Sequence, residues 1–225
     1  MIIIESKRKK SATILKKYPE AILADVTSGA KDGLVRLSPF YPHCGIPVPF
    51  SEGYTATCVE SIWQGLKVFE NEDVDVRLFS NDTMRNIKRS VRVHGKPLGH
   101  RKGVHSDILL NYFDARMLIY LPSYKYVLDN RVHDLIEKIA ERAKTHNIVF
   151  LDYATNTDVR NISSPLSHAG LVKLYIEGKY PSANDGLQPM TLEEMEEAKN
   201  AKKQAKKERK AQNMKLPQSD QPTLF

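Results

Sequence analysis

The sequence predicts an α+β fold: one helix-rich domain with a few short strands, then a projecting basic helix and a disordered tail. Three observations point there. Short β-branched runs alternate with stretches that repeat apolar residues at helical spacing. Hydrophobic residues make up 41% and charged residues 27% of the 225, as in ordinary globular proteins. The positive charge sits at one end: from Lys199 onward eight basic residues meet two acids, leaving 26 basic and 25 acidic residues before it. The net charge of +7 therefore belongs to the tail. The expected division is a domain at 1–181 and a charged extension at 182–225.

Taken in order, residues 2–5 and 21–26 read as strands, with a basic helix between them that ends before Pro19. Residues 27–54 hold Pro39, Pro42, Pro47, Pro49 and four glycines, the composition of a long ordered loop, and such loops often carry function. Thr57 is expected to open a helix with Glu60 as its capping-box partner. Val59, Ile62, Leu66 and Phe69 would share the buried face of that helix. A further helix should follow Ser106, carry Leu109, Leu110, Phe113, Met117 and Leu118, and end or kink at Pro122. Val132, Leu135, Ile136, Ile139 and Ala143 mark another. Residues 148–151 read as a buried strand, and Ser164-Pro165 as the start of a last core helix ending near Gly178. The final helix, about 191–213, is capped by Thr191 with Glu194, with acids in its first turns and lysines later.

Several classes are excluded as expectations. No apolar run approaches the roughly 20 residues that span a bilayer, and the opening residues place apolar before basic, the reverse of a secretory signal. Cys44 and Cys58 cannot make a disulfide framework, so a reducing cytoplasm is expected. His43 beside Cys44 lacks a second ligand pair at metal spacing, and phosphate-binding glycine loops are absent, so neither metal nor cofactor is expected.

Two stretches carry candidate chemistry. On a helix, Glu60, Gln64 and Lys67 fall within about 60° of one another at ~100° per residue, with Trp63 beside them. A carboxylic acid there can protonate a leaving group, and a lysine of lowered pKa can attack an electrophilic carbon. The plainer alternative is a capping-box Glu60 and a solvated Lys67. Residues 85–102 hold seven fixed cations, Lys88 and Arg89 among them, and no acid; the stretch suits a phosphate or pyrophosphate, with Arg92, Lys96, Arg101 and Lys102 as the substrate contacts, and an ordinary basic surface is the alternative. After the buried strand comes a polar segment. Asp152 in it is read as a substrate contact and Asp158 as a catalytic carboxylate, with a turn-forming role for Asp158 equally open.

At these residues the sequence resembles the NADAR family of N-glycosidases, the ADP-ribose glycohydrolases. Leu37-Ser38-Pro39-Phe40 is similar to that family's Phe-Ser-Asn-Phe motif. Glu60-Ser-Ile-Trp63-Gln64-Gly65-Leu-Lys67 matches Glu-His-Tyr-Tyr-Gln-Ala-x-Lys at Glu, Gln and Lys. Lys96-Pro97-Leu98 and Thr155-Asn-Thr-Asp158 follow in the same order, so the resemblance covers about residues 34–178. The chain departs at Arg101-Lys102-Gly103, where the family has Trp, and at Val159-Arg160-Asn161, where it has Trp-Gly. The resemblance implies cleavage of a C1–N bond to a ribose-phosphate group, including removal of ADP-ribose from guanine in nucleic acid or nucleotide. Glu60 would be the acid–base, Lys67 a Schiff-base nucleophile, Trp63 a stacking ring, and Ser38, Phe40 and Gln64 substrate contacts.

Two alternatives stand beside this reading. One is a non-catalytic reader of nucleotides or ADP-ribose. The other is a DNA-associated accessory protein that works through its basic tail. The last residues, Gln221-Pro222-Thr223-Leu224-Phe225, resemble the Gln-x-x-Leu-Phe peptides that dock bacterial sliding clamps, with a chance match as the alternative.

Overall fold

Three apolar runs far apart in the sequence meet in a parallel sheet. The computed structural model describes residues 1–183, 185 and 189–215. In it β1 (Ile2–Ser6), β2 (Ile22–Asp25) and β8 (Ile148–Asp152) lie in the order β1-β8-β2. The central strand β8 is buried along its whole length, which is why it reads as an unbroken apolar run. Its side chains alternate between two packing layers. Val149 and Leu151 meet Ile14 of α1 (Ser11–Lys17), while Ile148 and Phe150 enter the main core on the opposite face. Fully burying each such side chain stabilises the fold by about 1.5–3 kcal/mol.

The proline-rich stretch is a loop, broken by a 3₁₀ turn at Gly33–Leu37 and by β3 (Ile46–Pro47), which pairs with β4 (Thr55–Ala56). Next come α2 (Val59–Gly65), β5 (Lys67–Phe69), a 3₁₀ turn at Val76–Ser80 and α3 (Val91–His94). β6 (Pro97–Arg101) and β7 (Leu109–Leu110) complete an antiparallel ribbon with β5. The helix expected from Thr57 through Phe69 is corrected at both ends. Cys58 is the N-cap, exchanging hydrogen bonds of 3.3 Å with Ser61, and Glu60 takes no part in the capping box. At the other end Asp75 donates its backbone N–H to Gly65 O, and the Arg89 guanidinium donates to the carbonyls of Gln64 and Lys67. With those carbonyls engaged, the chain leaves the helix, and Lys67 begins a strand.

The helix expected after Ser106 also begins late. Leu109 and Leu110 are strand, and Asn111 caps α4 (Tyr112–Ala115) by accepting the Asp114 N–H. Pro122 does not end the helix. A π turn, Arg116–Tyr120, leads directly into α5 (Leu121–Asn130), and the Leu121 N–H reaches back five residues to Arg116 O. The wider turn supplies room for a ring that cannot donate to the preceding turn.

α6 (His133–Thr145) and the buried β8 fall where the apolar spacing put them. α7 (His168–Ile176) starts later than Ser164: residues 156 and 166 bridge side by side, and Ser167 is the cap. α8 (Leu192–Lys215) starts with the expected reciprocal pair, Thr191 N–H to Glu194 and Glu194 N–H to Thr191. Its described side chains are exposed or half-buried, and an Arg160–Glu194 ion pair of 2.6 Å ties its first turn to the domain. Gln221, Leu224 and Phe225, and the tail expected to be disordered, lie outside the described residues. No helix among the described residues is long and apolar enough to cross a membrane.

Gly65 is fixed by close approach. A Cβ there would stand 2.4 Å from the Phe79 ring and 3.1 Å from Asp75 O. Gly65→Ala is therefore expected to lower stability by about 1–3 kcal/mol in urea denaturation, the cost of overpacking a core. An unchanged midpoint would mean that the Phe79 ring yields freely.

Candidate active site

The three parallel strands end on the same side, and the segments leaving them wall a cavity of about 750 Å³. Arg8 follows β1, Thr27 and Ser28 follow β2, and residues 152–156 close the end of β8. The crevice beyond the carboxyl ends of parallel strands is a frequent ligand site, because the chains part there. Ser38 and Phe40 from the proline-rich loop, Glu60 of α2, Lys88, Tyr120 and the segment from Asn161 to His168 also line the cavity.

Glu60 lies in the first turn of α2, buried to 8% exposure. Its backbone N–H donates to Pro39 O at 2.9 Å, which joins the loop to the helix. Gln64 Nε2 donates to Glu60 Oε1 at 2.8 Å, while Gln64 Oε1 accepts the Arg89 N–H at 3.3 Å. Burial pushes the Glu60 carboxyl above the usual carboxylate range. The Gln64 bond and the charges of Lys88, Lys67 and His168 oppose that push without cancelling it. An acid that holds its proton this firmly is suited to deliver it to a leaving group.

Asp152 is different: its oxygens are occupied. Oδ1 accepts the Tyr153 N–H at 2.6 Å, and Oδ2 accepts from the Ser167 hydroxyl at 2.8 Å and the Ala169 N–H at 3.4 Å. His168 Nδ1 stands 3.1 Å from the same Oδ2, and its Nε2 donates to Val26 O at 2.8 Å. Both partners of the ring only accept, so the ring carries both protons. Burial works against that charge, but the Asp152 bond and charge outweigh it and raise the His168 pKa. Burial likewise pushes Asp152 up, and the bonds and charge from His168, with those from Ser167 and Ala169, bring it below the usual range.

Tyr120 ends the π turn and lines the same cavity. Burial and the charges of Glu60 and Asp152 hold its phenol well above its ordinary pKa, so it stays a neutral donor. Arg116, only 2% exposed, donates to the carbonyls of Val159, Asn161 and Ser164 at 2.8–3.1 Å. It thereby holds Asn161 and Ser164 against the cavity.

Of the residues singled out in the sequence, Ser38, Phe40, Glu60 and Asp152 line the cavity, and Gln64 braces Glu60 from behind. The others stand elsewhere. Lys67 is half-buried opposite His100 in the ribbon, with its pKa lowered by burial, and it does not line the cavity. Trp63 packs against His100 with the ring centres 3.8 Å apart and the planes tilted by 36°, and it meets Tyr112 and Tyr120 edge-on. The shared helix face of Glu60 and Lys67 does not exist, because α2 ends between them. Asp158 is exposed and accepts the Arg160 N–H, the turn-forming alternative. Arg92 and Lys96 are exposed outside the cavity, Arg101 pairs with Asp73 at 2.7 Å, and Lys102 covers Phe50. Sequence reasoning missed Arg8, Tyr120 and His168, and gave Lys88 no role of its own. Only His168 had a signal: Ser167 before the apolar run 169–172 is a cap that Ser164-Pro165 masked.

A family model described as a family of unknown function (DUF6939) matches residues 6–172, from the end of β1 into α7. No curated protein matches the chain.

The Asp152–His168 pair gives stability a defined pH dependence. Folded His168 binds its proton more tightly than the unfolded residue, which titrates near ~6.5. Its contribution is thus complete below that pH and fades as pH rises through the folded value. Asp152 runs the other way: its contribution is complete above an unfolded pKa of ~3.9 and fades as pH falls through its lowered folded value. The stability lost in His168→Gln is expected to be largest between about pH 4 and 6.5 and to shrink toward about pH 9. Equal losses at the two ends, measured by urea titration, would mean the ring carries no second proton.

Proposed function

The chain belongs to this family of unknown function, and from the chemistry of its cavity we propose that it is an N-glycosidase. Its substrate is a ribose-phosphate group joined through C1 to a base nitrogen, most simply ADP-ribose on guanine in nucleic acid or nucleotide. One observation carries the reading: a buried carboxyl of raised proton affinity, Glu60, stands in the wall of a cavity of about 750 Å³ lined by both polar and apolar groups. The resemblance of residues 34–178 to the NADAR N-glycosidases supports it.

Breaking the bond needs a proton on the departing nitrogen and a partner for the cationic sugar carbon. Glu60 gives its proton to the base as the C1–N bond breaks. Water then adds to C1, and its proton returns to Glu60, so the acid is restored. Gln64, itself fixed by Arg89, holds the carboxyl in one orientation. The neutral Tyr120 phenol supplies a hydrogen-bond donor beside it. A covalent route through Lys67 remains part of the reading: burial lowers its pKa as a nucleophilic amine requires, but it stands outside the cavity wall. The setting is the cytoplasm, where Cys44 and Cys58 stay reduced.

A second reading has one observation in its favour. With Lys67 outside the wall and Asp152 saturated, the same cavity suits a non-catalytic nucleotide reader, with the exposed basic α8 as its contact to DNA.

Release of free ADP-ribose from ADP-ribosylated guanosine, DNA and RNA, followed side by side, separates the two. Glu60→Gln is expected to lower kcat by at least about a hundredfold with the fold retained. An equal loss in Lys67→Ala supports the covalent route, and an unchanged rate leaves direct attack by water. No release by the wild type, or full kcat in Glu60→Gln, would overturn the glycosidase reading.

A further inference from the structure

Basic residues near the cavity fall into two groups. Of the thirteen fixed cations in residues 7–17 and 85–102, five are neutralised inside the fold. Lys7 pairs with Asp25, and Lys9 and Lys17 both pair with Glu5. Arg89 pairs with Glu72 at 3.2 Å and Arg101 with Asp73 at 2.7 Å. Arg8 and Lys88 stand among these residues in sequence, yet neither has a carboxylate within ion-pair distance among the described residues. Both line the cavity.

Each is oriented without being neutralised. Arg8 Nη1 donates to Tyr153 O at 3.0 Å, and its guanidinium stands 5.5 Å from the centre of the Tyr153 ring. The Lys88 ammonium stands 5.1 Å from the centre of the Phe40 ring. An aromatic face attracts a cation but leaves its charge uncancelled. The acids in the wall do not compensate for them. Asp152 is matched by the His168 imidazolium, and burial favours the neutral form of Glu60. Of the cations left without an ion pair in these two stretches, Arg8 and Lys88 are the ones that line the cavity, and its wall therefore carries an excess of positive charge.

We propose that Arg8 and Lys88 form the anion subsite of this cavity and take a phosphate or pyrophosphate group of its ligand. The proposal rests on the ribose-phosphate reading above and names the part of the site that holds the phosphate. Of the basic stretch 85–102, to which the sequence gave that role, it keeps Lys88 in place of Arg92, Lys96, Arg101 and Lys102, and it adds Arg8 from the end of β1. Arg offers a planar fork and Lys a point charge, and together they fit a group with several charged oxygens. The Phe40 and Tyr153 rings beside them leave apolar faces for the uncharged remainder.

The test is calorimetric titration of the full chain at low salt with inorganic pyrophosphate, ADP-ribose and adenosine. Arg8→Gln and Lys88→Gln, both at exposed positions, are compared with Arg92→Gln and Lys102→Gln. Each cavity substitution is expected to weaken pyrophosphate and ADP-ribose by about tenfold, as loss of a charge-assisted hydrogen bond does. Adenosine binding should be unchanged in all four, and the two outer substitutions should alter nothing. Unchanged pyrophosphate affinity in both cavity variants, equal losses in the outer pair, or no pyrophosphate binding by the wild type would overturn the subsite. Pyrophosphate bound through Arg8 and Lys88 with no N-glycoside cleaved would keep the subsite and overturn the glycosidase. Cleavage at wild-type KM in the Arg8→Gln, Lys88→Gln double variant would keep the glycosidase and overturn the subsite.

Discussion

The carboxylate at the end of the central strand holds three parts of the molecule in one place. Asp152 closes β8, caps α7 through Ser167 and Ala169, and grips His168, whose far nitrogen reaches the chain leaving β2. A buried ion pair tolerates little error, since removing one partner strands a charge away from water. The pair therefore sets where the strand ends stand relative to α7, and with them the mouth of the cavity. Glu60, the other carboxyl of the cavity wall, has no ion pair among the described residues and is held instead by the Gln64 amide.

Glu60 is supported from the other side by a residue that looked like part of a ligand grip. Arg89 is buried, and its guanidinium ties the end of α2 to β5 and to Asp73. Its backbone N–H fixes the Gln64 amide, which fixes the Glu60 carboxyl. The next residue back, Lys88, faces the cavity. Two neighbouring residues thus supply an internal brace and a wall cation.

This arrangement explains which parts of the molecule were legible in the sequence. β1, β2, β8 and α6 were visible because local pattern and tertiary burial agree there, and the start of α8 because its Thr191–Glu194 cap is local. Glu60 and Gln64 were found through a helix face, and Lys67 was joined to them by the same geometry. The helix stops early because Arg89, more than twenty residues on, takes its carbonyls, and no local rule contains that contact. Arg8 and Lys88 were hidden for a related reason. In a run of basic residues nothing marks which ones will find a carboxylate, since the partners Asp25, Glu5, Glu72 and Asp73 are supplied by the fold.

The π turn before Pro122 makes chain length part of the site. It holds one residue more than an α-helix needs between Asn111 and Pro122, and Tyr120 owes its direction to that residue. Deleting any single position upstream within the turn would restore ordinary helical winding, at a rotation of ~100° and a shift of ~1.5 Å per residue. Arg116 and Tyr120, on either side of the deleted position, would then change their facing relative to each other, so Tyr120 would not face the cavity while Arg116 holds its carbonyls. Along this stretch spacing constrains the chain as strongly as side-chain chemistry does. A variant shortened by one residue between Arg116 and Tyr120 would keep every side chain of the wall in its sequence and still alter the wall.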